Sequence, residues 1–165
     1  MEKINKILTP TDFSLCAASA LSYAGFLAGQ LKATILLVHV MAGRENPLPP
    51  DGELKRKIGR TLERMADFWQ RRGLYLETHI LSGDPASEIE KAAQNMECGL
   101  IVMGIRSGRS LGHLASGSVS ERVVRSSNVP VLTVRAREER EGVQPLGIWR
   151  GDIGSKGRWG EIILN

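Results

Sequence analysis

Glycine and serine are concentrated in one stretch of the chain, MGIRSGRSLGHLASGSVSERV from Met103 to Val123, which contains four glycines and five serines. A glycine-rich turn that leads into a helix exposes several backbone N–H groups and the positive end of the helix dipole, and both bind phosphate oxygens. Serine hydroxyl groups would add hydrogen-bond donors at Ser110, Ser116, Ser118 and Ser120. Loops of this kind also serve as plain connections, so composition alone leaves both interpretations open.

Catalytic and metal-binding residue sets are not found in the sequence. Nothing forms a group of nucleophile, base and orienting residue, so no catalytic residue is predicted. Cys16 and Cys98 are far apart, without CxxC spacing or neighbouring histidines, which indicates neither a zinc site nor a disulfide framework. Both are expected to be small buried hydrophobic residues in a protein of the reducing cytoplasm.

The size and charge of the chain narrow its class. At 165 residues it is long enough for one domain with a hydrophobic core, followed by a tail. The formal net charge of +4 comes from scattered basic residues, which does not favour nucleic-acid binding. The N-terminal segment MEKINKILTPTDFS lacks the apolar region of a signal peptide or membrane span, so no membrane contact is expected.

Short apolar runs alternate with segments of helical periodicity, which is typical of an α/β sheet. The continuous runs ILLVHV, LIVM and VPVLTV predict parallel strands covered on both faces. The predicted strands span residues 4–8, 34–40, 74–81, 99–103 and 129–134. The predicted helices span residues 14–31, 53–72, 85–95 and 116–126. Ser14 is the expected N-cap of the first helix, whose apolar spacing includes Leu15 and Leu31, and Pro85 opens the third helix.

Ligands of open parallel sheets bind beyond the carboxyl ends of the strands, where the strand order reverses. Three loops are expected to meet there: TPTDFS after strand one, the segment after His39, and the Gly-Ser stretch after strand four. Asp12, at the tip of TPTDFS, either belongs to the ligand site or caps the first helix. A histidine inside an apolar strand is more often a core residue than a ligand, so His39 is assigned no catalytic role.

Several of these segments, in this order and spacing, resemble the universal stress protein family. They are TPTDFS after the first strand, ILLVHV as the second strand, the GDP turn before the third helix, and MG followed by GS and VVRSSNVPVLTVR at the end. The resemblance covers residues 3–135. It implies a three-layer α/β/α sandwich with a five-stranded parallel sheet in the order 3-2-1-4-5, a Rossmann-like fold of the adenine nucleotide alpha hydrolase type.

The domain organisation implied by the resemblance is a universal stress protein domain over residues 1–137 and a tail over residues 138–165. The tail spreads glycine through a segment with two tryptophans, which is typical of a disordered segment. Alternatively, Trp149, Trp159 and residues 162–164 dock on the domain or on a partner subunit.

In the nucleotide-binding branch of the family, the fourth strand ends in Gly, two residues, Gly, nine residues, Gly, and then Ser or Thr. Gly104, Gly117 and Ser118 match this pattern with its full spacing, whereas Ser107 takes the second glycine position and Gly108 follows it. Three outcomes stay open: Gly108 supplies the turn after a small shift, Ser107 itself donates a hydrogen bond to phosphate, or nucleotide binding is lost.

The resemblance implies a stress-response switch or sensor that binds ATP or AMP, with or without Mg²⁺. It places Asp12 on the adenosine side of the site and the backbone of Val40 against the adenine. From their residue type and place in the loop, Arg106 and Arg109 are either solvated loop residues or guanidinium donors that close over the phosphates. The full set of implied nucleotide-binding residues is Pro10, Thr11, Asp12, Val40, Met103, Gly104, Arg106, Ser107, Gly108, Gly117, Ser118, Val119 and Ser120.

Two alternative functions remain at this point. A stress protein of the same fold that acts only through protein interaction is favoured by Ser107, and a weak ATPase is possible because a bound triphosphate with a metal needs only a positioned water. Members of the family usually dimerise, often through the last strand. The resemblance therefore implies a homodimer, and the apolar segment PVLTV suits pairing through the last strand.

Overall fold

The computed structural model describes residues 3–42, 52–105 and 119–135. Within these residues, five strands and four helices alternate in the predicted order. The strands are β1 (Lys6–Pro10), β2 (Thr34–Ala42), β3 (Leu76–Gly83), β4 (Leu100–Ile105) and β5 (Val131–Arg135). The helices are α1 (Leu15–Leu31), α2 (Glu53–Gln70), α3 (Pro85–Asn95) and α4 (Val119–Ser126).

Three of the strands begin two residues later than their apolar runs predict. Ile4, Leu74 and Val129 precede β1, β3 and β5, yet each packs partly buried against the hydrophobic core. Hydrophobicity therefore marked burial rather than strand pairing at these positions. The start of the fourth predicted helix, residues 116–118, lies outside the described residues.

All strands pair in parallel, in the order β3-β2-β1-β4-β5, which confirms the predicted sheet. Two hydrophobic clusters cover its two faces. One contains residues of α1 and α2 together with Ile7, Leu37 and Val102, and the other contains residues of α3 and α4 together with Leu8 and Met103. Alternate side chains of one strand thus enter opposite clusters, which gives the predicted three-layer sandwich.

Local sequence determines where the first and third helices begin. The hydroxyl oxygen of Ser14 accepts a hydrogen bond from the backbone of Ala17, as expected of the N-cap of α1. Asp84 caps α3 in the same way, and Pro85 follows at the first helical position. Within the described residues, no helix combines the length and the apolar character that a membrane crossing requires.

Two predicted core residues of α1 are exposed instead. The side chains of Leu15 and Leu31 are 53% and 37% exposed, so the prediction that they belong to the buried face is wrong. The inner face of α1 is taken by small residues: Ala17, Ala20, Ala24, Gly25 and Ala28, together with Leu21.

The two cysteines differ in burial. Cys98 is buried as predicted, and burial raises the pKa of its thiol to about 11, which keeps it protonated at neutral pH. Cys16, in the first turn of α1, is only half-buried.

Candidate functional site

The sheet order reverses at β1, which lies between β2 and β4. Pro10, the last residue of β1, is in register with Val38 of β2, and Leu8 is in register with Ile101 of β4. Extending the second register by two residues brings Met103 level with Pro10. The carboxyl ends of three neighbouring strands therefore lie side by side at the switch point, where ligands of open α/β sheets bind.

The loop after β1 is held in a defined turn by its own backbone and side chains. The N–H of Thr11 donates to the carbonyl oxygen of Val38 at 2.8 Å, and the Thr11 hydroxyl oxygen accepts from the N–H of Phe13 at 3.1 Å. Phe13 has a φ of 61°, an uncommon conformation for a residue other than glycine. This turn brings the chain from the end of β1 directly into α1.

Asp12 is exposed at the outside of this turn. One carboxylate oxygen accepts a hydrogen bond from the N–H of Ser14 at 3.0 Å. Ser14 itself caps α1, so Asp12 orients the residue before the helix and is not the cap. An ionised carboxylate accepts several hydrogen bonds, so Asp12 keeps acceptor capacity for a ligand.

His39 joins β2 to the same loop. Its Nδ1 atom lies 2.8 Å from the carbonyl oxygen of Thr11, and its ring stacks on Phe13 with the centroids 4.7 Å apart. Burial lowers the pKa of His39, opposed by the Thr11 carbonyl and the charge of Asp12. A neutral ring that carries its hydrogen on Nδ1 donates to Thr11, so His39 holds the loop that carries Asp12.

Three of the predicted nucleotide-binding residues form an apolar group on the α3 and α4 side of the sheet. Met103 is buried in that cluster, and Val40 and Val119 pack against it half-buried. Ser120 follows Val119 in the first turn of α4 and is also half-buried.

Gly104 faces the other layer and has a packing role. A Cβ atom at this position would overlap the carbonyl group of Cys16 and lie 2.9 Å from the backbone nitrogen of Ala17. Only a residue without a side chain lets the first turn of α1 lie this close to β4. The sequence pattern predicted Gly104 as part of a phosphate loop, and the contact with α1 could not be foreseen from it.

An exposed ion pair links α4 to the residue that caps α3. The guanidinium group of Arg122 donates to both carboxylate oxygens of Asp84, at 2.8 and 2.6 Å. Arg122, together with the hydrogen bonds from Ser87, holds the pKa of Asp84 well below its usual range. A second link runs from the hydroxyl of Ser126 to the carboxylate of Glu90. Sequence analysis missed these links, because the partners lie more than 30 residues apart and their charges looked like ordinary surface residues.

Five predicted nucleotide-binding residues lie outside the described residues: Arg106, Ser107, Gly108, Gly117 and Ser118. The structure thus brings Pro10, Thr11, Asp12 and Met103 to one edge of the sheet, with Val40 two residues past Val38 on β2. Among residues 3–42, 52–105 and 119–135, no three His, Cys, Asp or Glu side chains are grouped so as to hold a metal ion.

Comparison with known sequences identifies one family. The family model described as the universal stress protein family matches residues 3–135. A universal stress protein of Methanocaldococcus jannaschii is 32% identical over 141 residues, which cover 79% of this chain and 81% of the relative. A universal stress protein of Bacillus subtilis is 32% identical over 148 residues, covering 79% of this chain and 99% of the relative.

Solved structures of the same family share the fold. A protein of the universal stress protein family from Burkholderia pseudomallei is 28% identical with a TM-score of 0.62, covering 81% of this chain and 98% of that chain. Two others, each 21% identical, were solved with an adenine nucleotide. One holds cAMP (TM-score 0.63; 82% of this chain, 100% of that chain), and one from Archaeoglobus fulgidus holds dAMP (TM-score 0.59; 81% and 98%).

Proposed function

The chain belongs to the universal stress protein family, and from this premise we propose that it binds an adenine nucleotide, ATP or AMP, at the carboxyl ends of β1, β2 and β4. In this proposal the bound nucleotide switches the protein between states that a stress-response partner distinguishes. The observation that carries the proposal is the defined turn after β1, which presents the exposed carboxylate of Asp12 at the switch point of the sheet.

The described residues at this edge suit the nucleoside part of such a ligand. Asp12 would accept hydrogen bonds from ribose hydroxyl groups. The half-buried Val40 and Val119, which pack against the cluster that contains the buried Met103, would contact the adenine. Charged acceptors make stronger hydrogen bonds than neutral ones, so Asp12 would contribute most to the affinity among the described residues. Two solved structures of the same fold hold cAMP and dAMP, which supports the choice of ligand class.

The phosphates would extend toward the start of α4, which Arg122 and Asp84 hold in place. In the proposal, the loop from Gly104 to Ser118 supplies the backbone N–H donors, and Pro10, Thr11, Arg106, Ser107, Gly108, Gly117 and Ser120 belong to the same site. A Mg²⁺ ion would be bound through the phosphate oxygens with water as its other ligands, as is usual for this ion.

Isothermal titration calorimetry with ATP and Mg²⁺, AMP and GTP tests the proposal. We expect heat of binding with the adenine nucleotides and much less with GTP. Asp12→Asn should weaken ATP binding about tenfold, or about 1.4 kcal/mol. This substitution removes the charge but keeps the oxygen that accepts from Ser14, so the turn is preserved.

Asp67→Asn is the matched control, because Asp67 is an exposed aspartate on α2 and the substitution changes the net charge equally. It should leave the affinity unchanged. The proposal is contradicted if millimolar adenine nucleotides give neither heat of binding nor a shift of the melting temperature. The alternative, a stress protein that acts only through protein interaction, would then remain. Mass spectrometry of nucleotides that co-purify with the chain gives a second, independent readout.

We further propose that the protein forms a homodimer through β5. In the described part of the chain this strand is at one edge of the sheet and Leu132 is exposed, and edge strands offer backbone groups for pairing with a second copy. Sedimentation velocity should report a dimer that Leu132→Glu converts to a monomer. Tyr75→Gln, an exposed residue just before the opposite edge strand β3, should leave the dimer intact.

A further inference from the structure

Helix α1 has an outer face without charge. None of its 17 residues is Asp, Glu, Lys or Arg, whereas surface helices normally carry charged residues on the outer face. Leu15, Tyr23 and Phe26 lie on this face and are 53%, 55% and 63% exposed. At about 100° per residue these three positions fall within one narrow arc of the helix.

The serines on this face add little polarity. The hydroxyl group of Ser19 donates to the carbonyl oxygen of Leu15 at 3.0 Å, and that of Ser22 donates to the carbonyl oxygen of Ala18 at 3.1 Å. Their hydrogen-bond donors are therefore satisfied within the helix. The face formed by Leu15, Ser19, Ser22, Tyr23 and Phe26, called here the α1 outer face, is an apolar strip about 16 Å long, and exposed apolar strips of this kind mark interaction sites.

The described part of the domain ends beside one end of this strip. Arg135, the last residue of β5, is in register with Ile105, and Val134 is in register with Gly104. Gly104 in turn lies directly against the first turn of α1 at Cys16, next to Leu15. The chain therefore leaves β5 next to the N-terminal end of the α1 outer face.

Thirty residues follow Arg135, and they carry the kind of side chains that the strip would bind. Trp149 and Trp159 lie 14 and 24 residues beyond β5, and the apolar residues 162–164 follow. Fourteen extended residues span up to about 46 Å, so even Trp149 reaches every point of the 16 Å strip. The five basic and five acidic residues of residues 136–165 cancel, so no net charge opposes docking on an uncharged surface.

We propose that the C-terminal segment, residues 136–165, docks on the α1 outer face of its own chain through Trp149 and Trp159. A tether that starts beside the strip gives the segment a local concentration in the millimolar range, which favours it over a separate molecule. Indole rings bury a large apolar area and leave their N–H at the edge for water, which fits a shallow exposed strip. The family match ends at residue 135, so the segment is an addition to the shared domain.

Acrylamide quenching of tryptophan fluorescence in the full chain tests this inference. Of the three tryptophans, Trp69 is buried in α2, so Trp149 and Trp159 are the reporters. A variant with both Trp149→Phe and Trp159→Phe gives the baseline, which is the quenching of Trp69 fluorescence alone. Docking predicts weak quenching in the wild-type chain and at least twofold stronger quenching in a Tyr23→Gln, Phe26→Gln variant.

Tyr75→Gln is the control, because it removes an exposed aromatic residue outside the strip, and it should leave the quenching unchanged. Circular dichroism verifies that each variant keeps its fold. Equal quenching in the wild type and the α1 variant overturns the inference. A different result is that acrylamide quenches the α1 variant more strongly and that this variant also no longer dimerises in sedimentation velocity. In that case a second copy of the chain covers the strip, and the inference is overturned.

Discussion

Helices α1 and α2 cover the same face of the sheet but distribute their side chains in opposite ways. Helix α1 buries alanines and Gly25 and exposes Tyr23 and Phe26. Helix α2 buries large residues and exposes mainly charged ones; its buried residues are Ile58, Leu62, Met65, Ala66 and Trp69. The two helices meet where Gly25 leaves room for the ring of Trp69.

The difference follows from what each helix does. The first turn of α1 lies close to β4, and Gly104 permits that distance because it has no side chain. Helix α2 has no such constraint and fills the core volume with large side chains. The helix at the site is therefore positioned by close backbone contact, and its neighbour by side-chain packing.

The largest effect is expected from removing a large side chain under α2. Leu62 is fully buried, so Leu62→Ala should lower the free energy of unfolding by about 3 kcal/mol through lost burial and the cavity left behind. Urea denaturation measures the change. Leu62→Met, which preserves the volume, should cost less than about 1.5 kcal/mol. Equal costs for both substitutions would contradict packing as the means by which α2 is held.

Adding one carbon under α1 should be almost as damaging. Gly104→Ala forces a Cβ into the backbone of Cys16, which has little freedom to move, and we expect a loss of about 2–3 kcal/mol in urea denaturation. Gly59→Ala on α2 is the control, since its Cβ would meet only Ile80 at 3.8 Å. That variant should gain about 0.5–1 kcal/mol from helix propensity. A neutral Gly104→Ala would mean that α1 is not held by close backbone contact.

Alanine substitutions at two glycines of α1 distinguish the effect of the contact between α1 and α2 from the effect of helix propensity. A Cβ at Gly25 would lie 2.9 Å from the Trp69 ring, whereas one at Gly29 would meet only Leu74 at 3.7 Å. Gly29→Ala should stabilise the protein by about 0.5–1 kcal/mol, and Gly25→Ala should destabilise it by about 1 kcal/mol. Thermal unfolding of both variants measures the difference. If both stabilise equally, α1 and α2 do not constrain one another at this point.

The smallest expected effect on stability is a pH dependence that arises at the loop before α1 and has no counterpart before α2. Helix α1 follows a loop that His39 holds, whereas α2 begins at Gly52 without a side-chain cap. Burial lowers the pKa of His39, so the unfolded chain takes up the proton first. The contribution of His39 to the free energy of unfolding is complete above about pH 6.5. It is lost as the pH falls from there toward the lowered pKa of the folded state, and the free energy of unfolding changes by at most about 1.4 kcal/mol per pH unit.

Urea denaturation between pH 5 and pH 8 measures this slope. His39→Gln should remove the contribution, and the difference between wild type and variant isolates it from the other titrating groups. Identical pH profiles for the wild type and His39→Gln would contradict the role of His39 in the loop.

Much of the fold could be predicted because its determinants are local. Short apolar runs predicted all five strands, three of them from continuous runs, and Ser14 and Pro85 predicted two helix starts. The positions of Leu15 and Leu31 were wrong because periodicity identifies an apolar face without showing which face the sheet covers. In α1 the need for close approach outweighed hydrophobicity.

The sequence by itself determined the alternation of strands and helices, the family, and the loops that lie near the switch point. Hydrogen bonding, capping and burial along a short segment are sufficient for those features. The tertiary structure alone decided that Gly104 packs on Cys16, that His39 holds the Asp12 loop, and that Arg122 joins Asp84. Each of these contacts joins two residues that are separated by between 28 and 88 positions in the sequence. The register of the strands and the packing of the helices decide which residues meet, and no local sequence pattern contains that information.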